Sequence, residues 1–441
     1  MRGIGSSTAV ILTVGLSFGA VGAGAAPPRP SLDEKRVLAD EMDAYLSKHV
    51  LNPRFPACVE KEKGGFHTTY SRDWTPLPDR GEFIVYQSRV VWTAATVALL
   101  RPARRDEFLP YVRHGVRYLA DVMWDRQNGG FHNYVDLAGQ PSTFGFMGGR
   151  PVYGQAFAIY SLATAHAATG DAEPLELAKR GYRWVEEHYK DAGFAGYRSS
   201  VLATGQPIPE APDGKALRSI EGPASNRTMN DHIHLLEAYS ELLRVWRDPA
   251  LAKNTEELLQ FVRDRLVVEP GYLRLALTAD GKVVPSPVSF GHDVETAFLM
   301  IEAEEALGRK PSASTLKAAR MLVDHALAKG FEHGRGQLFE QASVDGTPSG
   351  RPTEWWSQFE AVNALLLMHD LFGKETNQYW VAFEKAWALT RDKLADSPAP
   401  GVCGALDTHG EPQCEMKSHD WFVSYHSSRA LLLSADRLRK P

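Results

Sequence analysis

A glycine–aromatic pair returns along this chain at a fixed step. Gly64-Gly65-Phe66 is answered sixty-five positions later by Gly129-Gly130-Phe131, and sixty-five later again by Phe194-Ala195-Gly196-Tyr197. Weaker echoes follow at Gly271-Tyr272, at Gly334 to Phe339 and at Gly404-Ala405-Leu406. A period of this length marks a supersecondary unit that cannot bury its apolar face alone. Between the glycine loops, apolar residues recur at three- and four-residue steps, the helical period. The pattern predicts twelve helices, over about 32–49, 83–100, 105–124, 152–169, 174–190, 230–246, 249–267, 292–307, 312–329, 354–371, 375–392 and 420–438.

Short links such as Thr169-Gly170-Asp171, Arg247-Asp248-Pro249 and Leu307-Gly308-Arg309 join an even-numbered helix to the next. Short links make antiparallel neighbours. The long glycine loops, expected to form short β-hairpin-like turns, therefore gather on one face. Six helical hairpins need a closed or stacked arrangement. An all-α (α/α)6 barrel fits the count. An open solenoid is the runner-up, but it needs polar caps at both ends, and none is evident.

The sixth helix, Asn230 to Trp246, is apolar nearly all round, which marks a buried helix. Yet Asn230, His234, Glu237 and Glu241 are spaced four, three and four apart and share one face. Buried polar groups must be satisfied, so this end lines a cavity, or its His bonds a backbone carbonyl.

The other even helices repeat the placement. Arg89 is in the second; Tyr153 and Gln155 open the fourth; His232 and His234 the sixth; His292 and Glu295 the eighth; Trp355, Trp356, Gln358 and Glu360 the tenth; Trp421, Tyr425, His426 and Arg429 the twelfth. The odd helices carry ordinary solvated faces, such as Glu256, Arg263 and Asp264. Taken singly, Trp355-Trp356 reads as core, Glu295 as a helix-start charge and Arg89 as half of an ion pair. Their convergence makes the even helices an inner ring whose starts surround one pocket.

Aromatic faces, carboxylates and an Arg suit a sugar. Glycoside hydrolysis needs two carboxyls across a bond. Glu237, Glu295 and Glu360 could supply them, but each has a His or Trp neighbour and resembles an orienting partner. Proton abstraction beside a carbonyl needs a base near pH 7, which imidazole offers; histidines at three helix starts favour it. His232 and His234 point to different sides of a helix and no His-Glu-x-x-His occurs, so no metal is expected. With no nucleotide-binding glycine motif either, no cofactor is expected.

Charge is balanced, 49 basic against 54 acidic residues, with no basic run; that argues against nucleic acid as a partner. Cys403 and Cys414 could close a short loop, leaving Cys58 free. Residues 1–26 read as a signal peptide: Arg2, an apolar run, then Ala23-Gly24-Ala25 as a cleavage site. The expectation is an exported protein, periplasmic or secreted, with one domain over 27–441. A disordered apolar leader and an uncleaved anchor are the alternatives. The expected partner is a small-molecule carbohydrate, with no membrane contact beyond the leader, and the protein is expected to be a monomer or homodimer.

Six motifs then resemble, jointly and in order, the N-acylglucosamine 2-epimerase family, most closely its cellobiose 2-epimerase branch. They are Tyr86-Gln-Ser-Arg-Val-Val-Trp92, Tyr153-Gly-Gln-Ala-Phe-Ala-Ile-Tyr160, Met229-Asn-Asp-His-Ile-His-Leu-Leu-Glu-Ala-Tyr239, Ser289-Phe-Gly-His-Asp-Val-Glu295, Trp355-Trp-Ser-Gln-Phe-Glu360 and Tyr425-His-Ser-Ser-Arg429. The resemblance implies an (α/α)6 barrel of aldose 2-epimerases and aldose–ketose isomerases. It implies that His292 and His426 are the acid/base pair. It implies that Arg89, Asn230, His234 and Glu295 hold the reducing-end sugar while Trp356 and Trp421 stack on it; Tyr153, Glu237 and Glu360 complete the expected substrate contacts. The chain departs from the branch at Phe298, where relatives carry Trp, at Ser424 and Ser427 around the last His, and at Arg150, usually Lys. Other readings are a glycoside hydrolase-like toroid and a sugar-binding barrel without activity. An acid/base pair of one neutral and one protonated imidazole predicts a bell-shaped pH profile.

Overall fold

The structure, a computed structural model, describes residues 30–143, 149–191, 193–209, 218–219, 222–223, 225–343, 347 and 349–440; the signal peptide expected at 1–26 lies outside them. Twelve α-helices are present among these residues: α1 (Leu32–Tyr45), α2 (Ile84–Leu100), α3 (Arg105–Tyr118), α4 (Val152–Thr169), α5 (Ala172–His188), α6 (Met229–Val245), α7 (Pro249–Phe261), α8 (Phe290–Ala306), α9 (Ala313–Lys329), α10 (Trp355–Phe372), α11 (Gln378–Lys393) and α12 (Tyr425–Leu438). Local chemistry sets several ends. Asp248 caps α7 by accepting from the N–H groups of Ala250 and Leu251, with Pro249 in the first turn. Gly170 ends α4 in the left-handed region, φ 75°. α1, α3 and α7 run on through one wide π-type turn, at 46–51, 119–123 and 262–266.

The even helices form a closed inner ring: α2 packs on α4, α4 on α6, α6 on α8, α8 on α10, α10 on α12, and α12 on α2. Each odd helix lies outside the even helix it is paired with, and α1 lies on α12. The first and last helices thus complete the sixth hairpin. That closure excludes the solenoid. The polarity split follows: nearly every residue of α2, α4 and α10 is buried, whereas α3 and α5 bury one stripe.

The loops repeat six-fold. After each odd helix a tight antiparallel turn joins Val59 to Phe66, Trp124 to Phe131, Lys190 to Tyr197, 267–268 to 272–273, 331–332 to 337–338, and Ala395 to Val402. The sixth glycine turn is therefore Gly401-Val402, and Gly404-Ala405-Leu406 belongs to the next hairpin. A Cβ on Gly130, at φ +69°, would stand 2.7 Å from the Trp184 ring of α5, so glycine permits the close approach. A second hairpin follows in every repeat, closed by N–H donation from residues 71, 136, 202, 278, 343 and 407 to the carbonyl four residues on.

The fourth residue of five inner helices clamps the preceding glycine turn. Gln87 Oε1 accepts from Phe66 N–H at 2.9 Å and Gln155 Oε1 from Phe131 N–H at 2.8 Å. His232 Nε2 accepts from Tyr197 N–H at 2.9 Å, Asp293 Oδ1 from Leu273 N–H at 3.0 Å, and Gln358 Oε1 from Leu338 N–H at 2.9 Å. Cys403 and Cys414 form a disulfide and Cys58 is free and buried. No helix of the described residues is long and apolar enough to cross a membrane.

Candidate active site

The inner helices all start on the hairpin side, and a cavity of about 690 Å³ opens there. Arg89, Tyr153, Asn230, His234, His292, Glu295, Trp356, Trp421 and His426 all line it, so nine of the eleven expected site residues reach the wall. Register explains the convergence. Arg89, Phe157, His234, Glu295 and Glu360 are each the sixth residue of their helix, and Tyr153, Asn230, Trp356 and His426 the second. Positions four apart share a helix face.

Glu237 and Glu360, expected to touch substrate, do not line the cavity; they stand behind the wall and hold the residues that do. Glu237 Oε2 lies 2.9 Å from His234 Nδ1, while Oε1 accepts from the Tyr425 hydroxyl at 2.5 Å and from Arg429. Glu360 Oε1 lies 2.6 Å from His426 Nδ1. Trp421 also departs from expectation. It sits on the loop before α12, because that helix begins only at Tyr425, after 416–418 have paired with 70–71. There it is exposed and packs against Phe83 and Tyr153, with ring centroids at 5.0 and 6.0 Å.

Three imidazoles are fixed through Nδ1: His234 by Glu237, His426 by Glu360, and His292 by Ser289 Oγ at 2.7 Å. Among the described residues Nε2 of each makes no hydrogen bond, and all three residues line the cavity. The Trp356 ring touches both His292 and His426, with centroids at 4.7 and 5.4 Å. His232 faces away: Nδ1 bonds Thr228 O at 2.6 Å and Nε2 the Tyr197 turn. Burial pushes His292 down to about 4 and His426 well below the ordinary imidazole value, with Arg89 and Arg429 adding to the second. Burial raises Glu360 well above the carboxylate range, and the neighbouring Glu295 and Glu237 reinforce this against the pull of Arg429. Burial also works to raise Glu237, but Arg429 and the His234 and Tyr425 bonds outweigh it and hold the carboxyl near 2.

Arg429 is the hub that the sequence left without a role. Its guanidinium donates to Glu237, Glu295 and Glu360 and to Tyr425 Oη, wholly buried. Its signal was its spacing: three residues after His426, as Glu295 is after His292. Arg89 is the opposite case. It is buried, donates to Tyr153 Oη at 2.8 Å, and lies over Phe157 at 4.4 Å. Among the described residues it makes no ion pair. The outer wall, including Glu340, Gln341, Arg351, Glu354, Gln413 and Glu415, comes from hairpin loops with no periodic signal.

Ligand atoms of Glu295, Glu360 and His426 come close enough together for a metal ion. Arg429 Nη2 already bridges the two carboxylates there, supplying the positive charge a cation would bring. The other such group among the described residues, Asp396, Cys403 and Cys414, has both sulfurs in the disulfide.

Residues 64–430 match the family profile described as N-acylglucosamine 2-epimerase (GlcNAc 2-epimerase). The chain is 27% identical over 406 residues to a cellobiose 2-epimerase of Bacteroides fragilis, covering 91% of this chain and 94% of that one. It is 24% identical over 346 residues to a D-mannose isomerase of Thermobifida fusca, covering 74% and 78%. The solved structure of cellobiose 2-epimerase from Spirochaeta thermophila superposes with a TM-score of 0.81 at 29% identity, covering 92% of this chain and 98% of that one.

Proposed function

The chain belongs to the N-acylglucosamine 2-epimerase family and is a carbohydrate 2-epimerase or aldose–ketose isomerase; from that premise we propose a two-histidine mechanism at C2 of a free reducing-end mono- or disaccharide. The observation that carries it is the pair His292 and His426. Both touch Trp356, each is held through Nδ1, and each has Nε2 available to the cavity.

Ring opening exposes C1 as an aldehyde and makes the C2 hydrogen acidic. His292, kept neutral by burial, takes the C2 proton. The enediolate charge develops beside Arg89, whose guanidinium has no ion pair among the described residues to neutralise it. His426 returns a proton to the opposite face from Nε2, while Glu360 passes its own proton to Nδ1. The charges balance: one imidazolium at His292 and one carboxylate at Glu360. Protonation at C2 gives the epimer, at C1 the ketose. The reverse substrate uses the same groups in reverse order.

The test is NMR in heavy water with a panel of reducing sugars that includes cellobiose and mannose. Deuterium at C2 of a new epimer, or at C1 of a new ketose, supports the mechanism. Cleaved sugar, or shifted peaks without exchange, overturns it in favour of a hydrolase or a binding barrel.

The proposed location is outside the cytoplasm. The pattern of residues 1–26 supports export, and a disulfide suits an oxidising compartment. N-terminal sequencing of protein from native cells should begin near Ala26; Arg2 retained in a soluble cytosolic fraction would refute it.

A further inference from the structure

We propose that Glu340 is a specificity-determining residue of the cavity, a carboxyl that donates a hydrogen bond to an acceptor oxygen of a neutral sugar. Its ligand is named on the strength of the function proposed above.

Glu340 lies on the loop between the fifth glycine turn and α10, and it is anchored twice. Its backbone oxygen accepts from Phe290 N–H at 3.2 Å, tying it to the start of α8. Its Oε2 accepts from Ser357 Oγ at 2.8 Å, tying it to the start of α10. Those two helix starts nearly touch: a Cβ on Gly291 would stand 2.6 Å from Ser357 Cβ and 2.7 Å from the Trp356 ring. The carboxyl thus stands at the seam between the helices carrying His292 and Trp356, and lines the same cavity.

It differs from the other buried carboxyls of the site. Glu237, Glu295 and Glu360 each share Arg429. Glu340 is only 8% exposed, yet among the described residues it forms no ion pair. A buried carboxylate without a cation is costly, and such a group takes up a proton instead. Burial pushes this carboxyl up to about 8; Glu354 adds like charge, and bonds from Ser357 and the Glu354 backbone, with the charge of Arg351, offset part of it. A protonated carboxyl is a donor as well as an acceptor. Ser357 Oγ carries one hydrogen and also lies 2.9 Å from Glu354 O; with that hydrogen given to Glu340 Oε2, the carboxyl proton sits on the other oxygen, where a ligand acceptor can take it.

Ser357 of α10 bonds it, and the same cavity is lined by Glu354 and Arg351 from its own loop, His292 from α8 and Glu415 from the hairpin before α12. His292 is neutral throughout the window around pH 8. Through that window the wall changes from hydrogen-bond donor to anion at Glu340.

The experiment is isothermal titration calorimetry of the full-length mature protein with cellobiose, from about pH 6 to about pH 9.5, which needs no turnover. In the wild type, affinity should fall by about three- to tenfold as pH rises through about 8, the net worth of one hydrogen bond. Glu340→Gln can accept from Ser357 through its carbonyl and donate through its amide, so it should bind like the wild type at pH 6 and lose the pH dependence. Glu340→Ala should bind about three- to tenfold more weakly at pH 6. An unchanged pH dependence in Glu340→Gln, or wild-type affinity in a folded Glu340→Ala, overturns the assignment. Binding without C2 exchange refutes the epimerase mechanism and leaves Glu340 to be judged by these affinities. No binding of cellobiose or of any other neutral sugar in the panel overturns both.

Discussion

His426 Nδ1 and Glu360 Oε1 lie 2.6 Å apart on neighbouring inner helices, and both groups are shut away from solvent on that side. Three carboxyls, Glu237, Glu295 and Glu360, surround the single guanidinium of Arg429. A proton on Glu360 relieves the surplus negative charge. Donated to Nδ1, it leaves the imidazole hydrogen on Nε2, the nitrogen available to the cavity. The pair titrates as a unit.

The pH profile of kcat/KM should be bell-shaped, but with its acid limb displaced. His292 must be neutral to act as base, and its value is lowered from 6.5 to about 4. Activity should hold as pH falls through 6.5 and be lost only towards about 4. The alkaline limb marks loss of the proton shared by Glu360 and His426, and Glu360→Gln should abolish that limb. Stability runs the other way around 6.5. His232 and His292 are lowered to about 4 in the fold, so the unfolded chain binds more protons between 4 and 6.5. Their contribution is full above 6.5 and declines as pH falls below it. Circular dichroism at each pH separates the two effects.

His292→Asn and His426→Asn should each lower epimerisation by about 10²–10⁴-fold, the worth of a positioned acid or base. One variant should still exchange the C2 hydrogen of the epimer served by its surviving imidazole. Near-wild-type rates in both would remove the pair from the mechanism.

The neighbours His232 and His234 should separate cleanly. His232→Gln puts at the fourth position of α6 the residue that α2, α4 and α10 carry there, where it can hold the Tyr197 turn as Gln87, Gln155 and Gln358 hold theirs. Its kcat and KM should stay within about threefold, because the turn keeps its hydrogen bond. His234→Asn should raise KM while sparing the fold. Equal loss in both would place His232 in the site.

Arg89→Met should lower kcat by about 10²-fold or more, the scale for removing one stabilising donor from a developing oxyanion. Thermal stability should change little or rise, since Arg89 makes no ion pair among the described residues and packs on Phe157 and Tyr425 at 4.4 and 5.1 Å. A change in KM alone would make it a ground-state binder.

Exhaustive EDTA dialysis should leave activity intact, because Arg429 occupies the place between Glu295 and Glu360. Activity lost and then restored by one divalent ion would reverse this.

The barrel and the inner-helix side of the cavity wall were legible because both rest on periodicity. A helix repeats every 3.6 residues and the hairpin unit every sixty-five or so, and those two rhythms set which residues turn inward. Pairings across the ring carry no such rhythm. Arg429 meets Glu237 over a separation of 192 residues, and nothing near either announces the other. His232 misled for a related reason: it has the chemistry of a site residue, but its fourth position gives it a loop to hold. Glu340 was missed because it reaches the cavity from a hairpin, where exposure and burial do not alternate regularly.

The seating of α1 on α12 has a consequence for how the protein comes apart. An open array has end units, which fray first and let melting advance one unit at a time. Here the first helix closes the last hairpin, and five of the six glycine turns are stitched to the inner helix after them. Losing any one hairpin breaks the ring at two seams. Denaturation should therefore be all-or-none, with the slowest-exchanging amides spread around all six inner helices rather than collected in a persistent middle.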